Sequence, residues 1–97
     1  MAQAPQLTKE LAEMVAIQAL SFIAGEPDRL DRFLALTGIG PESLRDAARA
    51  PNFLLGVLDH VTADDSLLRD FAAQNDIDPE TVVRARDVIS GGRPEVP

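Results

Sequence analysis

The stretch FLALTGIGPESLRDA, residues 33–47, recurs 38 residues later as FAAQNDIDPETVVRA, residues 71–85, and the two copies align without a gap. In each copy a helical apolar stripe ends at a corner with a central Ile, and a Pro-Glu pair follows. The apolar spacing predicts a helix before the corner, and Pro is favoured at the first position of the helix after it. We infer two tandem helical units; the alternative is that two unrelated helix starts share this pattern by chance.

Each unit is predicted to contain three helices, bounded by N-caps, N-terminal prolines and C-terminal glycines. In unit one, about residues 8–50, they run near 8–24, near 27–37 and from 41 to Pro51. In unit two, about residues 51–90, they run near 52–61, from 64 or 65, and from the N-cap at 78. The predicted fold class is all-α, with about six short helices in two tandem three-helix units packed into one bundle-like domain over 8–90. The end segments, 1–7 and 91–97, are predicted to be disordered.

The first helix is predicted to be the most buried, because its apolar residues leave little polar surface. These residues are Leu11, Met14, Val15, Ile17, Leu20, Phe22 and Ile23. Four more apolar residues lie beside the main stripes: Leu36, Leu55, Leu67 and Val83. We expect the packing of the two units to bury these four. Any that are exposed would mark a groove for a helical partner or a homodimer interface.

The composition narrows the class of protein. The chain of 97 residues has no cysteine and a formal net charge of −7, which excludes a disulfide framework and disfavours binding to nucleic acid or anionic lipid. Its most apolar run, residues 11–24, is too short and too polar to cross a membrane. No basic region followed by an apolar run marks a signal peptide. We therefore expect one cytoplasmic domain, monomeric or weakly homodimeric, that does not contact membranes.

The Gly-Ile-Gly-Pro corner, residues 38–41, resembles the hairpin with which helix-hairpin-helix proteins bind a DNA phosphate through backbone N–H groups. The contacts of such a site would be Gly38, Gly40, Arg45 and Arg49. In the second copy Asp76 and Asp78 replace the glycines, and a carboxylate there satisfies the same N–H groups from within the chain. A helix-turn-helix is also imperfect, because Leu34 stands where a small residue is expected. We therefore expect the corner to be structural, with nucleic-acid binding by Gly38 to Arg49 as the alternative.

No catalytic residue, metal ligand or cofactor is predicted. The single histidine, His60, has Asp59, Asp64 and Asp65 nearby in sequence, but one imidazole with loop carboxylates is a weak metal signal. We expect His60 to be a helix-end residue near the C-terminal dipole. The chain has no cysteine, and its serines are far from His60 in sequence, so no nucleophilic triad is indicated. We do not expect an enzyme.

Two long phrases carry a resemblance to a known family: AIQALSFIAGEPDRLDRFLALTGIGPESLR, residues 16–45, and FLLGVLDHVTADDSLLRDFAAQNDIDPETVVRAR, residues 53–86. Over about residues 8–90 the chain resembles the small bacterial family called domain of unknown function 3572. The resemblance implies an all-helical, cytoplasmic bacterial protein, and it implies no activity. By exclusion, we predict a non-enzymatic protein–protein interaction or regulatory module with an unidentified protein partner; a nucleic-acid-binding domain is the alternative.

Overall fold

The structure, a computed structural model, describes residues 7–47 and 49–91 of the protein. Across those residues it contains six α-helices, a 3-10 turn at Pro41–Ser43 and no strand. The helices are α1 (Lys9–Ala24), α2 (Pro27–Thr37), α3 (Leu44–Ala47), α4 (Pro51–Thr62), α5 (Asp65–Asn75) and α6 (Pro79–Ile89). The predicted all-α class is confirmed. The predicted disorder at 1–7 and 91–97 lies almost wholly outside the described residues; Leu7, at its edge, is half-buried and packs against the core.

Local capping explains why five of the six helices begin where the sequence predicts. The prediction of a helix from residue 41 to Pro51 is wrong: a 3-10 turn at Pro41–Ser43 precedes α3, which is a single turn at Leu44–Ala47. The side chain of Thr8 accepts a hydrogen bond of 3.1 Å from the Leu11 N–H at the start of α1. Asp64 and Asp78 accept equivalent bonds at the starts of α5 and α6. The helices without a side-chain cap bond, α2 and α4, have Pro in their first turn, where its missing N–H has no helical partner to lose.

The two corners end their preceding helices in the same way. Gly38 after α2 has φ 76°, and Asp76 after α5 has φ 56°. Both therefore lie in the left-handed region, which glycine adopts at little cost and aspartate tolerates better than most residues. The residues that follow, Ile39 and Ile77, are half-buried and pack against the core. The corners thus turn the chain and also contribute apolar contact.

Several helix boundaries and two ring contacts are related by the 38-residue shift of the predicted repeat. The ends of α1 and α4, both bounds of α2 and α5, and the prolines that begin the third segments are each separated by 38 positions. The ring of Phe22 in α1 lies 5.4 Å from that of Phe71 in α5. The ring of His60, 38 positions after Phe22, lies 5.2 Å from that of Phe33, 38 positions before Phe71. The two ring contacts exchange under the same shift, as two similar units facing each other would require.

The core lies where α1, α4 and α6 pack against one another, with α2 against α1 and α5 against α4 and α6. Both Phe33 and Phe71 are fully buried, and the edge-on contact of Phe33 with Phe53 at 5.8 Å joins α2 to α4. The buried residues of α1 are Ala12, Val15, Ala16, Ala19, Phe22 and Ile23. Their i, i+3, i+4, i+7 spacing places all six on one face of α1.

Of the seven apolar residues on which we predict that the first helix is the most buried, three are exposed. Leu11, Met14 and Ile17 are 47%, 56% and 52% exposed, because the partners of α1 cover only its inner face. The expected burial of the four residues beside the stripes also fails: Leu36 and Val83 are exposed, and Leu55 and Leu67 are only half-buried. No helix within the described residues is long and apolar enough to cross a membrane.

Candidate functional site

An apolar stripe crosses the outer face of α1. Its members, Leu11, Met14 and Ile17, are three residues apart and are each about half-exposed. Each residue of an α-helix turns by about 100°, so a step of three falls about 60° short of a full turn. The outer stripe of α1, as we call these three residues, therefore runs obliquely across the helix.

The outer stripe leads into a groove between α1 and α3. Leu20, one further step of three along α1, lines this groove together with Ser21, Ala24 and Leu44. The groove has a volume of about 620 Å³ and is open because α3 is a single turn with no buried residue. We call it the α1–α3 groove. Leu20 continues the three-residue spacing of the outer stripe into this groove, and we refer to the stripe and the groove together as the path.

Acidic side chains predominate along this path. Glu10 and Glu13 lie on α1 beside the outer stripe, and Glu42 and Asp46 line the α1–α3 groove. The bases are Lys9 at the start of α1 and Arg45 in the groove. Four acids and two bases give this surface a formal charge of −2. None of the six side chains forms an ion pair with another described residue.

The Gly-Ile-Gly-Pro corner is satisfied by its own chain. The Gly38 N–H donates to the Leu34 carbonyl at 2.8 Å, and the Ile39 N–H donates to the Thr37 hydroxyl at 3.4 Å. A Cβ placed on Gly40 would lie 3.0 Å from a carboxylate oxygen of Glu42. The protein's own anion therefore lies against the second glycine, where a bound phosphate would meet repulsion.

The basic residues of the alternative nucleic-acid site do not form a positive patch. Arg45 lines the α1–α3 groove beside Asp46, and Arg49 is exposed in the turn before α4. Within residues 42–49 two acids and two arginines give a formal charge of zero. The structure brings Gly38 and Gly40 together in the corner, but this segment lacks the excess positive charge that phosphate binding ordinarily uses.

His60 lies in a second cleft, of about 690 Å³, between α2 and the α4–α5 turn. Leu36 and Leu67 line this cleft, and Leu36 is the most exposed large apolar residue at 71%. Burial lowers the pKa of His60; the charge of Arg32 lowers that pKa further, whereas Asp64 raises it. Its ring packs edge-on against Phe33, in the position equivalent to that of Phe22 in unit one. This contact gives His60 a packing role at the end of α4.

The carboxylates near His60 in sequence are engaged elsewhere. Asp59 accepts a hydrogen bond from the guanidinium of Arg86, which raises the pKa of Arg86. Asp64 caps α5, and Asp65 forms an ion pair of 3.2 Å with Arg69. No group of three or more His, Cys, Asp or Glu side chains that could hold a metal ion occurs among the described residues.

Sequence reasoning assigned the outer stripe to the core. A signal was nevertheless present: the inner face of α1 contains Ala12, Ala16 and Ala19. Small residues on one face of a helix permit close approach by neighbouring helices and so mark the face that packs in the core. The bulky residues of α1 that lie off this face are then candidates for exposure. Leu36 and Leu67, singled out as a possible groove, do line one cleft, whereas Val83 lies apart from it on α6.

One family model matches most of the chain. A sequence model of the family described as protein of unknown function (DUF3572) matches residues 9–92, which includes all six helices. Neither the curated proteins nor the solved structures contain a significant match to the chain. Because the matched region covers most of the sequence, the chain belongs to the DUF3572 family of proteins of unknown function.

Proposed function

We propose that this protein is a non-enzymatic interaction module that binds a partner protein through the outer stripe of α1 and the α1–α3 groove. The observation that supports this proposal best is the exposure of Leu11, Met14 and Ile17 on one helix face. Contiguous exposed apolar residues that continue into a groove are typical of protein docking sites.

The repeat adds an internal comparison. At the positions 38 residues after Leu11 and Met14 stand Arg49 and Asn52, both of which are exposed. Unit two therefore has a polar residue at two of the three matched positions, Arg49 before α4 and Asn52 on it, whereas the third, Leu55, is apolar like Ile17. Both α1 and α4 contribute to the same core. Folding alone does not require the apolar residues of unit one, and a partner that covers them provides a reason for their presence.

The exposed apolar area of the outer stripe sets the free energy that its burial by a partner can contribute. Three half-exposed side chains present on the order of 300 Å² of apolar surface, whose burial contributes on the order of 7 kcal/mol before the costs of association. After these costs the apolar contact alone would give weak binding, so high affinity requires further contacts. The α1–α3 groove and the charged residues along it are positioned to supply such contacts.

A pull-down from native lysate tests the proposal, with each sample divided and one half treated with nuclease. The bait is the full chain, compared with the double variant Met14→Gln, Ile17→Gln. The matched control is Val83→Gln, which changes an exposed apolar residue on α6 to a polar one. We expect one protein to be retained by the wild type and by the control, in both halves, and to be lost from the double variant.

Two results would contradict the proposal. The first is retention of the same partners by Met14→Gln, Ile17→Gln, which would place the binding surface elsewhere. The second is enrichment that disappears on nuclease treatment, which would favour the nucleic-acid alternative at Gly38, Gly40, Arg45 and Arg49. Circular dichroism of the double variant checks that it is folded, so that a loss of binding can be assigned to the surface.

A further inference from the structure

We propose that the segment which occupies the outer stripe of α1 is a basic amphipathic helix of a different protein, lying obliquely across α1 with one end in the α1–α3 groove. This inference rests on the proposed function and names its partner. Shape and charge each support it independently.

The shape of the path favours a helix. The outer stripe follows a row of residues spaced by three, and such a row packs between rows spaced by four on a second helix at about 20°. An extended peptide usually binds by adding a strand to a sheet edge, and the described residues contain no sheet. A helix brings its own backbone hydrogen bonds, so it can dock on side chains alone.

The charge of the path favours a basic segment. Glu10 and Glu13 flank the outer stripe, and Glu42 and Asp46 lie at the groove end, against Lys9 and Arg45. The resulting charge of −2 belongs to a chain of −7, so the wider field attracts a basic partner as well. Lys and Arg residues that border the apolar face of the docking helix would meet these carboxylates.

The same observations disfavour a second copy of this chain. Two copies would each bring a net charge of −7, and their outer stripes would bring Glu10 and Glu13 into the same interface.

The cleft that contains His60 does not select a partner in this way. Its charged lining residues, Asp28, Arg29, Arg32 and Asp64, sum to zero. Its exposed Leu36 stands at the end of α2, where the residues three and four positions earlier are the buried Phe33 and the charged Arg32. The α1 surface therefore supports the more specific inference.

Three labelled synthetic peptides test the inference by fluorescence anisotropy against the full chain. All have the same apolar residues at i, i+3, i+4 and i+7; the first has lysines at the flanking positions, and the second has glutamates there. The third contains the residues of the first in scrambled order, so that it has the same charge without an apolar face. We expect the lysine peptide to bind at least about tenfold more tightly than either of the others.

Variants of the protein locate the contact. Glu10→Gln, Glu13→Gln should weaken binding of the lysine peptide about fivefold, since each exposed charge pair contributes modestly. Met14→Gln, Ile17→Gln should abolish saturable binding, and Val83→Gln should leave it unchanged. Equal binding of the lysine and glutamate peptides, or equal binding of the scrambled peptide, would overturn the inference.

The experiments distinguish a wrong assignment of the partner as a basic helix from a wrong assignment of the docking surface. If the lysate partner is lost from Met14→Gln, Ile17→Gln but binds through an acidic or non-helical segment, the docking surface stands and the basic helix is wrong. If the lysine peptide binds Met14→Gln, Ile17→Gln as tightly as the wild type, its binding is general charge attraction and the inference fails. Mapping the bound segment by cross-linking and mass spectrometry separates these cases.

Discussion

The first helices of the two units, α1 and α4, end 38 residues apart and contribute to one core, but their outer faces differ. On α1, Leu11 and Met14 are exposed; 38 residues later stand the exposed polar residues Arg49 and Asn52. Of the three residues of the outer stripe, Ile17 alone has an apolar counterpart, the half-buried Leu55. Arg49 lies in the turn before α4, so on the helix itself the contrast is between exposed Met14 and exposed Asn52: the core does not require an apolar residue at that position.

The third segments of the units explain why α1 keeps its face open. Both begin at a proline, Pro41 or Pro79. In unit two the segment becomes α6, which buries Val82 and Ala85 and packs against both α1 and α4. In unit one it is a 3-10 turn and the single turn of α3, with no buried residue in α3. Pro51 begins the next helix only a few residues later, so the chain has no room for a longer covering helix.

The largest expected effects compare the two buried phenylalanines at equivalent positions. Phe33→Ala and Phe71→Ala should each lower the free energy of unfolding by about 3–5 kcal/mol, because each leaves a cavity in a fully buried site. Urea unfolding followed by circular dichroism measures both values. A loss under about 1 kcal/mol at either position would show that the two units do not share the core as equivalent parts.

The two corners provide a second comparison, in which the two substitutions are expected to change the free energy of unfolding in opposite directions. Gly38→Ala should destabilise the protein by about 1 kcal/mol, because alanine is unfavourable at φ 76° although the space around it is open. Asp76→Gly should stabilise it by about 0.5–1 kcal/mol, since glycine is the favoured residue at a left-handed helix end. Thermal and urea unfolding of both variants checks the signs, and a neutral Gly38→Ala would contradict the left-handed end.

The ring contacts differ because His60 stands where unit one has Phe22. Burial lowers the pKa of His60 in the folded protein, so the unfolded chain binds more protons just below the ordinary pKa of histidine. The stabilising contribution is therefore present above the ordinary pKa of histidine and is lost as the pH falls below that pKa and through the lowered pKa of the folded protein. His60→Phe should lack this component of the pH dependence while keeping the ring contact with Phe33. Unfolding free energies of both proteins across that range measure it; identical pH profiles would exclude a buried role for His60.

The smallest expected effect on stability belongs to the outer stripe. Met14→Gln and Ile17→Gln should each change the free energy of unfolding by no more than about 0.5 kcal/mol, because both side chains are already half in water. Urea unfolding tests this beside Val83→Gln as the control. A loss above about 2 kcal/mol would mean that these residues belong to the core.

The sequence predicted the helix starts well and the exposure of α1 poorly, for different physical reasons. A start such as Asp78-Pro79 depends on groups within a few residues, and these are present in the local sequence. The exposure of Met14 depends on how many helices surround α1, which follows from the length of α3 and from long-range packing. An apolar residue on an uncovered face has the same composition signal as one in the core.

The candidate site was predictable only in part. Leu36 and Leu67 were identified as apolar residues beside the main stripes, and the structure places both on one cleft. The outer stripe was missed because Leu11, Met14 and Ile17 were counted with the core residues of the same helix. A comparison with the polar residues at the matched positions Arg49 and Asn52 separates Leu11 and Met14 from the core residues, but not Ile17, whose matched residue is Leu55.

Site-specific photo-cross-linking in cells tests the central claim most directly, with benzoylphenylalanine placed at Met14 in one variant and at Asn52 in another. Both positions are exposed on the first helix of a unit, and they are 38 residues apart. We expect the probe at position 14 to be cross-linked to a partner protein and the probe at position 52 not to be. Cross-linking at position 52 alone, or equally at both positions, would contradict the assignment of the outer face of α1 as the docking surface.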